Sequence, residues 1–192
     1  VHVTKDRGET WEDVTPKDSS PGPRRRVSGC IDASHHEAGT AYISLGGSKP
    51  NLMRTRDFGK TWTAINNGLP TEEPFTSPVN VIRCDTQRKG LLFAGTDKQM
   101  FVSFDDGDHW QSLMLNLPTT IMNDLEVKGS DLVLGTYGRA LWILDDITPL
   151  REVSAEVANE PAHLFKPSTA IRVRRNVNYN TPLPPEVPHA LN

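Results

Sequence analysis

The sequence predicts an all-β fold built from repeated four-stranded units, and three observations lead to this prediction. A similar eight-residue phrase occurs three times, as TKDRGETW (4–11), TRDFGKTW (55–62) and SFDDGDHW (103–110). Between these octets lie short runs of β-forming residues, separated by turn residues. No stretch of the chain shows the sustained 3.6-residue periodicity of an amphipathic helix.

The octets also set the size of the repeated unit. They start at residues 4, 55 and 103, which gives periods of 51 and 48 residues. Four strands in about 50 residues is the size of one β-propeller blade. We therefore expect β-propeller blades of four antiparallel strands, about three of them plus a leading half-blade, followed by an extended Pro-rich C-terminal tail.

The blades are predicted in order along the chain. The first residues supply only strands three and four of a blade, on either side of the first octet. Two blades with four short strands follow, and the last blade lacks an obvious fourth strand, which 162–173 either supplies or replaces with the start of a linker. The expected segments are 1–15 (half blade), 24–70 (blade), 77–117 (blade), 120–173 (last blade with an irregular end) and 174–192 (extended tail, or linker to a missing domain).

Each octet is interpreted as a turn between strands three and four, followed by a packing anchor. The Asp carboxylate can accept hydrogen bonds from N–H groups of its own turn, and the Gly supplies a positive φ. The Trp is expected to lie between neighbouring sheets, where it buries a large apolar surface. These structural residues are Asp6, Gly8, Trp11, Asp57, Gly59, Trp62, Asp105, Gly107 and Trp110.

Composition excludes several classes of protein. The 192 residues suit about one domain, and the net charge of −3 comes from interspersed acids and bases, so there is no basic field for nucleic acid. No apolar run reaches the roughly 18 residues of a membrane-spanning helix. The chain starts inside a repeat at Val1, so we expect its natural amino terminus to be missing.

The two cysteines are expected to be free thiols. Cys30 and Cys84 lie in comparable stretches, GCID and IRCD. Aligning Asp32 with Asp85 places the two cysteines one residue out of step. In strands with a period of two, they then point to opposite faces of their sheets.

The octets resemble the Asp-box, or BNR repeat, of pattern S/T-x-D-x-G-x-T-W. It occurs in sialidases, sortilin-type receptors, xyloglucan hydrolases and photosystem assembly factors. Longer phrases, DLVLGTYGRALWILDDITPLR (131–151) and TPLPPEVP (181–188), are similar to large exported bacterial proteins named BNR-repeat glycosyl hydrolases or sortilin-like propeller proteins. That family has His where this chain has Tyr137.

The resemblance implies an architecture and a location. In that family the quoted phrases close the propeller region and lead into an immunoglobulin-like domain. A secreted, periplasmic or cell-surface protein is implied. Its remaining blades, from the same polypeptide or from other chains, would be needed to close the ring.

Ligands are expected on the face of the blades opposite the octets. This face is formed by the loops that join strand two to strand three, and strand four to the next blade. The loops GGSKPN (46–51), TDKQ (96–99) and TYGRA (136–140) lie there, with the connections 15–26 and 66–78. The predicted ligand-binding residues, called the rim below, are Lys49, Asp97, Lys98, Tyr137 and Arg139.

Two groups of charged residues allow an enzymatic or a structural interpretation. Glu72 and Glu73 with Asp97 could form the carboxylate pair of a glycosidase, or they are ordinary loop acids. Tyr137 with Arg139 could belong to a sialidase-like site, or to a turn at the end of a strand. Arg24, Arg25 and Arg26 could bind a carboxylate or phosphate, or form a solvated basic loop.

For each group of residues that could bind a metal, the sequence favours a structural interpretation. His35, His36 and Glu37 form a metal cluster by composition, yet they also fit a hairpin joining strands one and two. DDGD (105–108) resembles part of a calcium loop but lacks the later Glu. RVRR (172–175) is too short for a nucleic-acid patch. We therefore expect no metal and no cofactor.

Two functional classes remain. The first is a non-catalytic ligand-binding or scaffold β-propeller portion of a larger exported multidomain protein, which binds protein or glycan on the loop face opposite the octets. The alternative is part of a glycoside hydrolase, sialidase- or xyloglucanase-like, acting on oligosaccharides. Its acids would lie on missing blades or on the rim, and no catalytic residue is assigned in this segment.

Overall fold

Four antiparallel sheets follow one another along the chain in the computed structural model, which describes residues 1–16, 29–167 and 169. The first sheet has two strands, the second and third have four each, and the fourth has three. The strands are β1 (His2–Val3) and β2 (Glu12–Asp13); β3 (Ile31–Ala33), β4 (Ala41–Ser44), β5 (Leu52–Thr55) and β6 (Thr63–Ala64); β7 (Val79–Cys84), β8 (Leu92–Thr96), β9 (Met100–Ser103) and β10 (Gln111–Ser112); β11 (Met122–Lys128), β12 (Asp131–Thr136) and β13 (Leu141–Leu144).

Each sheet is an antiparallel meander in which chain neighbours are also sheet neighbours. The octets connect β1 to β2, β5 to β6 and β9 to β10, so they lie at the same end of their sheets. The predicted all-β fold of repeated four-stranded units is confirmed. The predicted tail 174–192, the arginines 24–26 and RVRR (172–175) lie outside the described residues.

The third sheet is buried on both faces, as expected of a blade with a neighbour on each side. Every residue of β8 and β9 is buried. One core cluster contacts the second sheet and includes Leu52, Ile65, Ile82, Leu92, Phe101 and Trp110. The other contacts the fourth sheet and includes Phe93, Val102, Met122, Leu125, Leu132 and Leu134.

The fourth sheet ends in a helix rather than in a fourth strand. Beyond β13 the chain forms α1 (Thr148–Glu152), with Pro149 in its first turn, where the missing N–H has no partner to lose. The buried Ile147 donates its N–H to the carbonyl of Ser130 at 2.7 Å, which fixes the start of the helix. The chain therefore leaves the sheet at the point where a blade would add its outer strand.

A second unit begins at Ser154. Its helix α2 (Ala155–Asn159) starts at Ser154, whose side-chain oxygen accepts the N–H of Val157 at 3.3 Å. Residues 162–167 contain no strand, so the described part of 162–173 does not supply one. Both helices are five residues long, and no helix among the described residues could cross a membrane.

The structure corrects the alignment of the two cysteine-containing stretches. Ser34 donates its N–H to Thr40, as Asp85 does to Leu91, and each side chain accepts two N–H groups of the turn that follows. Ser34, not Asp32, is therefore the counterpart of Asp85. The correction is an even number of residues, so the two cysteines still point to opposite faces.

Both cysteines are free thiols. Cys30 is half-buried, and its sulfur contacts the guanidinium of Arg83. Cys84 is buried, and its sulfur lies 3.6 Å from the carbonyl oxygen of Ala33. Burial, followed by contact with the Asp32 carboxylate, raises the pKa of the Cys84 thiol to about 12, so this thiol is protonated at neutral pH.

Candidate functional site

The octets close their turns with one carboxylate and one hydroxyl. In the second sheet, the Asp57 carboxylate accepts the N–H of Thr61 at 2.9 Å, the Thr61 hydroxyl at 2.7 Å and the Thr55 hydroxyl at 2.9 Å. The Thr55 oxygen in turn accepts the N–H of Gly59 at 2.9 Å. Asp6 and Asp105 make equivalent contacts in the other two octets.

These hydrogen bonds favour the ionised carboxylate. The bonds from Thr61 hold the pKa of Asp57 at about 2, and those from Thr10 do the same for Asp6. Partial burial opposes ionisation of Asp105, but the contacts with His109 and Ser103 outweigh it and lower the pKa of that group as well. The octet carboxylates are therefore ionised and accept hydrogen bonds from their own turns.

Each octet turn contains two successive residues with positive φ. In the second sheet these are Phe58 at 59° and Gly59 at 82°. The first and third octets repeat the pair with Arg7 at 61° and Asp106 at 64°, each followed by its Gly. Sequence reasoning predicted only the Gly, because the residue before it is Arg, Phe or Asp in the three octets and only Asp is enriched at positive φ.

The octet tryptophans differ in burial. Trp110 is 4% exposed and donates its indole N–H to the carbonyl of Ile65 at 2.7 Å, in the neighbouring second sheet. Trp62 reaches the first sheet in the same way, at the Val14 carbonyl (2.8 Å). Trp11 is 62% exposed and bonds to its own turn, at the Gly8 carbonyl (3.2 Å). No sheet precedes the first one among the described residues, so for Trp11 the expectation that each octet Trp lies between two sheets stays a prediction.

The octet end, meaning the end of the sheets that carries the three octets, also holds a buried ion pair. Asp85 is fully buried, and Arg151 of α1 contacts both of its carboxylate oxygens, at 2.7 to 3.2 Å. Burial raises the pKa of Asp85, but Arg151 and the N–H groups of Arg88 and Gln87 outweigh it, so the pKa is lowered.

The rim loops lie at the opposite end of the sheets and are tied together across sheets. The Asn80 amide donates to the Asp97 carboxylate at 2.8 Å and to the carbonyl of Met122 at 3.1 Å. Tyr137 donates its N–H to the carbonyl of Ile121, the neighbour of Met122, at 2.9 Å. The turns that carry Asp97 and Tyr137 are thus connected through the starts of β7 and β11. Sequence reasoning missed Asn80, which has no motif.

The second sheet joins this end through β4. Ser44, the last residue of β4, is fully buried and donates its hydroxyl to the carbonyl of Val79, next to Asn80. The loop that follows carries Lys49 and is closed by a bond from the Leu45 N–H to the Asn51 carbonyl at 2.8 Å. The loops of three neighbouring sheets therefore emerge beside one another.

The rim side chains differ in whether they bond to other residues of the chain. Tyr137 is 70% exposed, Lys49 and Arg139 are exposed, and their side chains make no hydrogen bond or ion pair with any described residue. Lys98 is committed, because its ammonium pairs with Glu73 at 3.3 Å and donates to the carbonyls of Pro74 (2.6 Å) and Thr76 (3.1 Å). Lys98 thereby holds the connection between the second and third sheets.

The rim carboxylates have separate partners. Asp97 bonds to Asn80, and Glu73 pairs with Lys98. A glycosidase general acid needs a raised pKa. Within the described ranges, every carboxyl group whose pKa departs from its ordinary value has it lowered: Asp6, Asp13, Asp57, Asp85, Asp105 and Glu156.

The suggested cluster of His35, His36 and Glu37 is not assembled. A ring nitrogen of His36 lies 2.8 Å from the carbonyl oxygen of Asp85, and Glu37 pairs with Lys89. His35 instead lies beside Asp32 and Cys84. The sequence signal for this grouping was weak, because Cys84 is 49 residues from His35 in the chain.

Comparison with known proteins identifies the fold. No protein-family model and no curated protein matches the chain. Among solved structures, the GH74 xyloglucanase from Xanthomonas campestris is similar at a TM-score of 0.56 and 19% identity, over 80% of this chain and 24% of that one. YCF48 bound to D1 peptide is similar at 0.53 and 18%, over 75% and 44%. The chain thus spans less than half of either protein and shares their propeller-type fold.

Proposed function

We propose that this chain is a non-catalytic, ligand-binding part of a β-propeller in a larger exported multidomain protein, and that it binds protein or glycan at the rim. The observation that carries the proposal is a contrast within the rim, because the side chains of Asp97 and Lys98 bond to other residues of the chain whereas those of Tyr137 and Arg139 bond to no residue that the structure describes. The side chains of Tyr137 and Arg139 are exposed and have no polar partner among the described residues, and backbone hydrogen bonds hold their turn to the neighbouring strand. An aromatic ring and a guanidinium on the same turn suit carbohydrate faces, peptide side chains and carboxylates.

We also propose that further blades, from the same polypeptide or from other chains, complete the ring. Support comes from the first sheet, which has two strands where the second has four. Beside it, a cavity of about 280 Å³ is lined largely by apolar residues, among them Val3, Ile31 and Trp62. Ile31 is 51% exposed there. Two inner strands of a blade would cover this apolar surface.

The test is a binding screen of the purified chain on glycan and peptide arrays, with hydrolysis assayed on the same glycans. We expect binding without turnover, and loss of binding in Tyr137→Ala and Arg139→Ala. Lys60→Ala, an exposed substitution at the octet end, is the matched control and should bind as the unaltered chain does.

The alternative function would show itself in the same screen. Turnover that is abolished by Asp97→Ala or Glu73→Ala would establish a glycoside hydrolase and overturn the non-catalytic proposal. Binding that survives both rim substitutions but is lost in Lys60→Ala would place the ligand at the octet end and contradict the rim proposal.

A further inference from the structure

A second cluster of chemically reactive side chains lies at the octet end, away from the rim. Asp32 is in β3, His35 is in the turn after β3, and Cys84 ends β7. One ligand atom from each residue, a carboxylate oxygen, a ring nitrogen and the sulfur, lies within 4.8 Å of the other two. We propose that these three side chains bind a zinc ion between the second and third sheets.

The backbone already holds two of the three groups together. The Cys84 N–H donates to the Asp32 carboxylate at 2.6 Å, so the aspartate and the thiol are aligned across two sheets before any ion binds. The turn that carries His35 is closed by the Ser34 hydroxyl, which accepts the N–H groups of His36 and Glu37 at 3.2 and 3.3 Å. His35 is exposed, so its ring can rotate toward the ion without disturbing the core.

The spacing is close to what zinc requires. Ligand atoms about 2.0 to 2.3 Å from a tetrahedral zinc are about 3.5 Å apart. The three ligand atoms lie within 4.8 Å of one another, so the cluster needs to contract by no more than about 1.3 Å. The exposed His35 side chain can supply that movement.

Neighbouring groups among the described residues are occupied elsewhere, so within this part of the chain the site has these three ligands. The Asp85 carboxylate is held by Arg151, and Glu37 pairs with Lys89. His36 is engaged with a backbone carbonyl. Cys30 contacts Arg83 rather than this cluster.

The ligand set selects the metal. A thiol and an imidazole favour zinc over calcium or magnesium, which prefer oxygen ligands. Three protein ligands leave a fourth position for water or for a group from another molecule. On coordination the thiol proton passes to solvent, and the ion then links the second sheet to the third.

The test uses the chain freed of metal with a chelator. Zinc binding is measured by calorimetry, and Co²⁺ serves as a spectroscopic substitute whose bond to a thiolate gives a charge-transfer absorption. We expect one zinc per chain, a cobalt–thiolate band, and a rise in the unfolding temperature with zinc. His35→Gln should weaken zinc binding by at least about tenfold, and Cys84→Ser should remove the cobalt–thiolate band.

Cys30→Ser and His36→Gln are the matched controls, since they replace the other thiol and the adjacent histidine. Both should retain zinc binding and the cobalt band. His35 is exposed, so His35→Gln keeps the test decisive even if Cys84→Ser does not fold. The proposal is overturned if the unaltered chain binds no zinc, if His35→Gln binds zinc as tightly, or if Cys30→Ser removes the band.

Discussion

At the octet end of the sheets, the octet carboxylates and Asp85 are held by hydrogen bonds and ion pairs of the fold, whereas at the rim Tyr137 and Arg139 are left for solvent. Asp57 closes its own turn and Asp85 is neutralised by Arg151. Tyr137 and Arg139 lie on the turn between β12 and β13, and their side chains contact no polar partner in the described part of the chain. The most conspicuous motif of the sequence therefore serves structure, and a less conspicuous turn is the better candidate for binding.

The octets themselves show a second difference. The hydrogen bonds of each turn are local, whereas the burial of each tryptophan depends on a neighbouring sheet. In all three turns the Asp carboxylate accepts the backbone N–H four residues further on, because this partner is local. The tryptophans differ, because their burial needs an adjacent sheet. Trp110 has one and is 4% exposed, while Trp11 is 62% exposed.

The largest expected effect comes from removing the buried anchor. Trp110→Ala should lower the free energy of unfolding by about 3–5 kcal/mol, because it leaves a cavity and an unpaired carbonyl at Ile65. Trp11→Ala, at the same octet position, should change it by no more than about 0.5 kcal/mol. Urea unfolding monitored by circular dichroism measures both, and equal losses would show that the octet anchors do not depend on their neighbours.

The next effect concerns the buried ion pair at the octet end. Arg151→Ala should destabilise the chain by about 3 kcal/mol, because it leaves the Asp85 carboxylate buried without its partner. Arg151→Ala combined with Asp85→Asn should recover part of this loss. Chemical unfolding of the unaltered chain, Arg151→Ala and the double variant measures the recovery. A double variant no more stable than Arg151→Ala would contradict the ion pair's role.

A smaller effect separates two octet glycines. Gly107→Ala and Gly8→Ala both place a side chain at positive φ, at a cost of about 1–2 kcal/mol each. At Gly107 the new Cβ would also lie 2.7 Å from Ile65 Cδ1, whereas at Gly8 it meets only the Trp11 ring, at 4.0 Å. Gly107→Ala should therefore lose about 1 kcal/mol more. Equal unfolding midpoints for Gly107→Ala and Gly8→Ala would show that the third octet is no more tightly packed at its glycine than the first.

The smallest effect appears in acid. The pKa of Asp57 is about 2 in the folded chain and about 3.9 in an unfolded one, so its turn stabilises the fold above about pH 4. That contribution is lost as pH falls through about 2. Thermal unfolding measured from about pH 4 down to about pH 2 should show the unaltered chain losing its higher unfolding temperature relative to Asp57→Asn. An advantage that persists unchanged at pH 2 would contradict the assigned hydrogen bonds.

The fold could be predicted from the sequence where it depends on interactions between residues close in the chain. Octet spacing predicted the sheets and the end of each sheet at which Asp57 and its counterparts lie. It could not predict the contact between Asp85 and Arg151, which joins residues 66 apart, or the bridge made by Asn80, because such contacts depend on how sheets pack. Ser34 and Asp85 close equivalent turns with different side chains, which is why aligning the aspartates was wrong by two residues.

Binding at the rim is tested most directly by comparing ligand binding after substitution at the two ends of the sheets. A ligand found on the arrays is titrated by calorimetry into Tyr137→Ala, Arg139→Ala and Lys60→Ala, with thermal unfolding measured for each. We expect both rim variants to lose binding while keeping their unfolding temperature, and Lys60→Ala to bind normally. Full binding by both rim variants would contradict it.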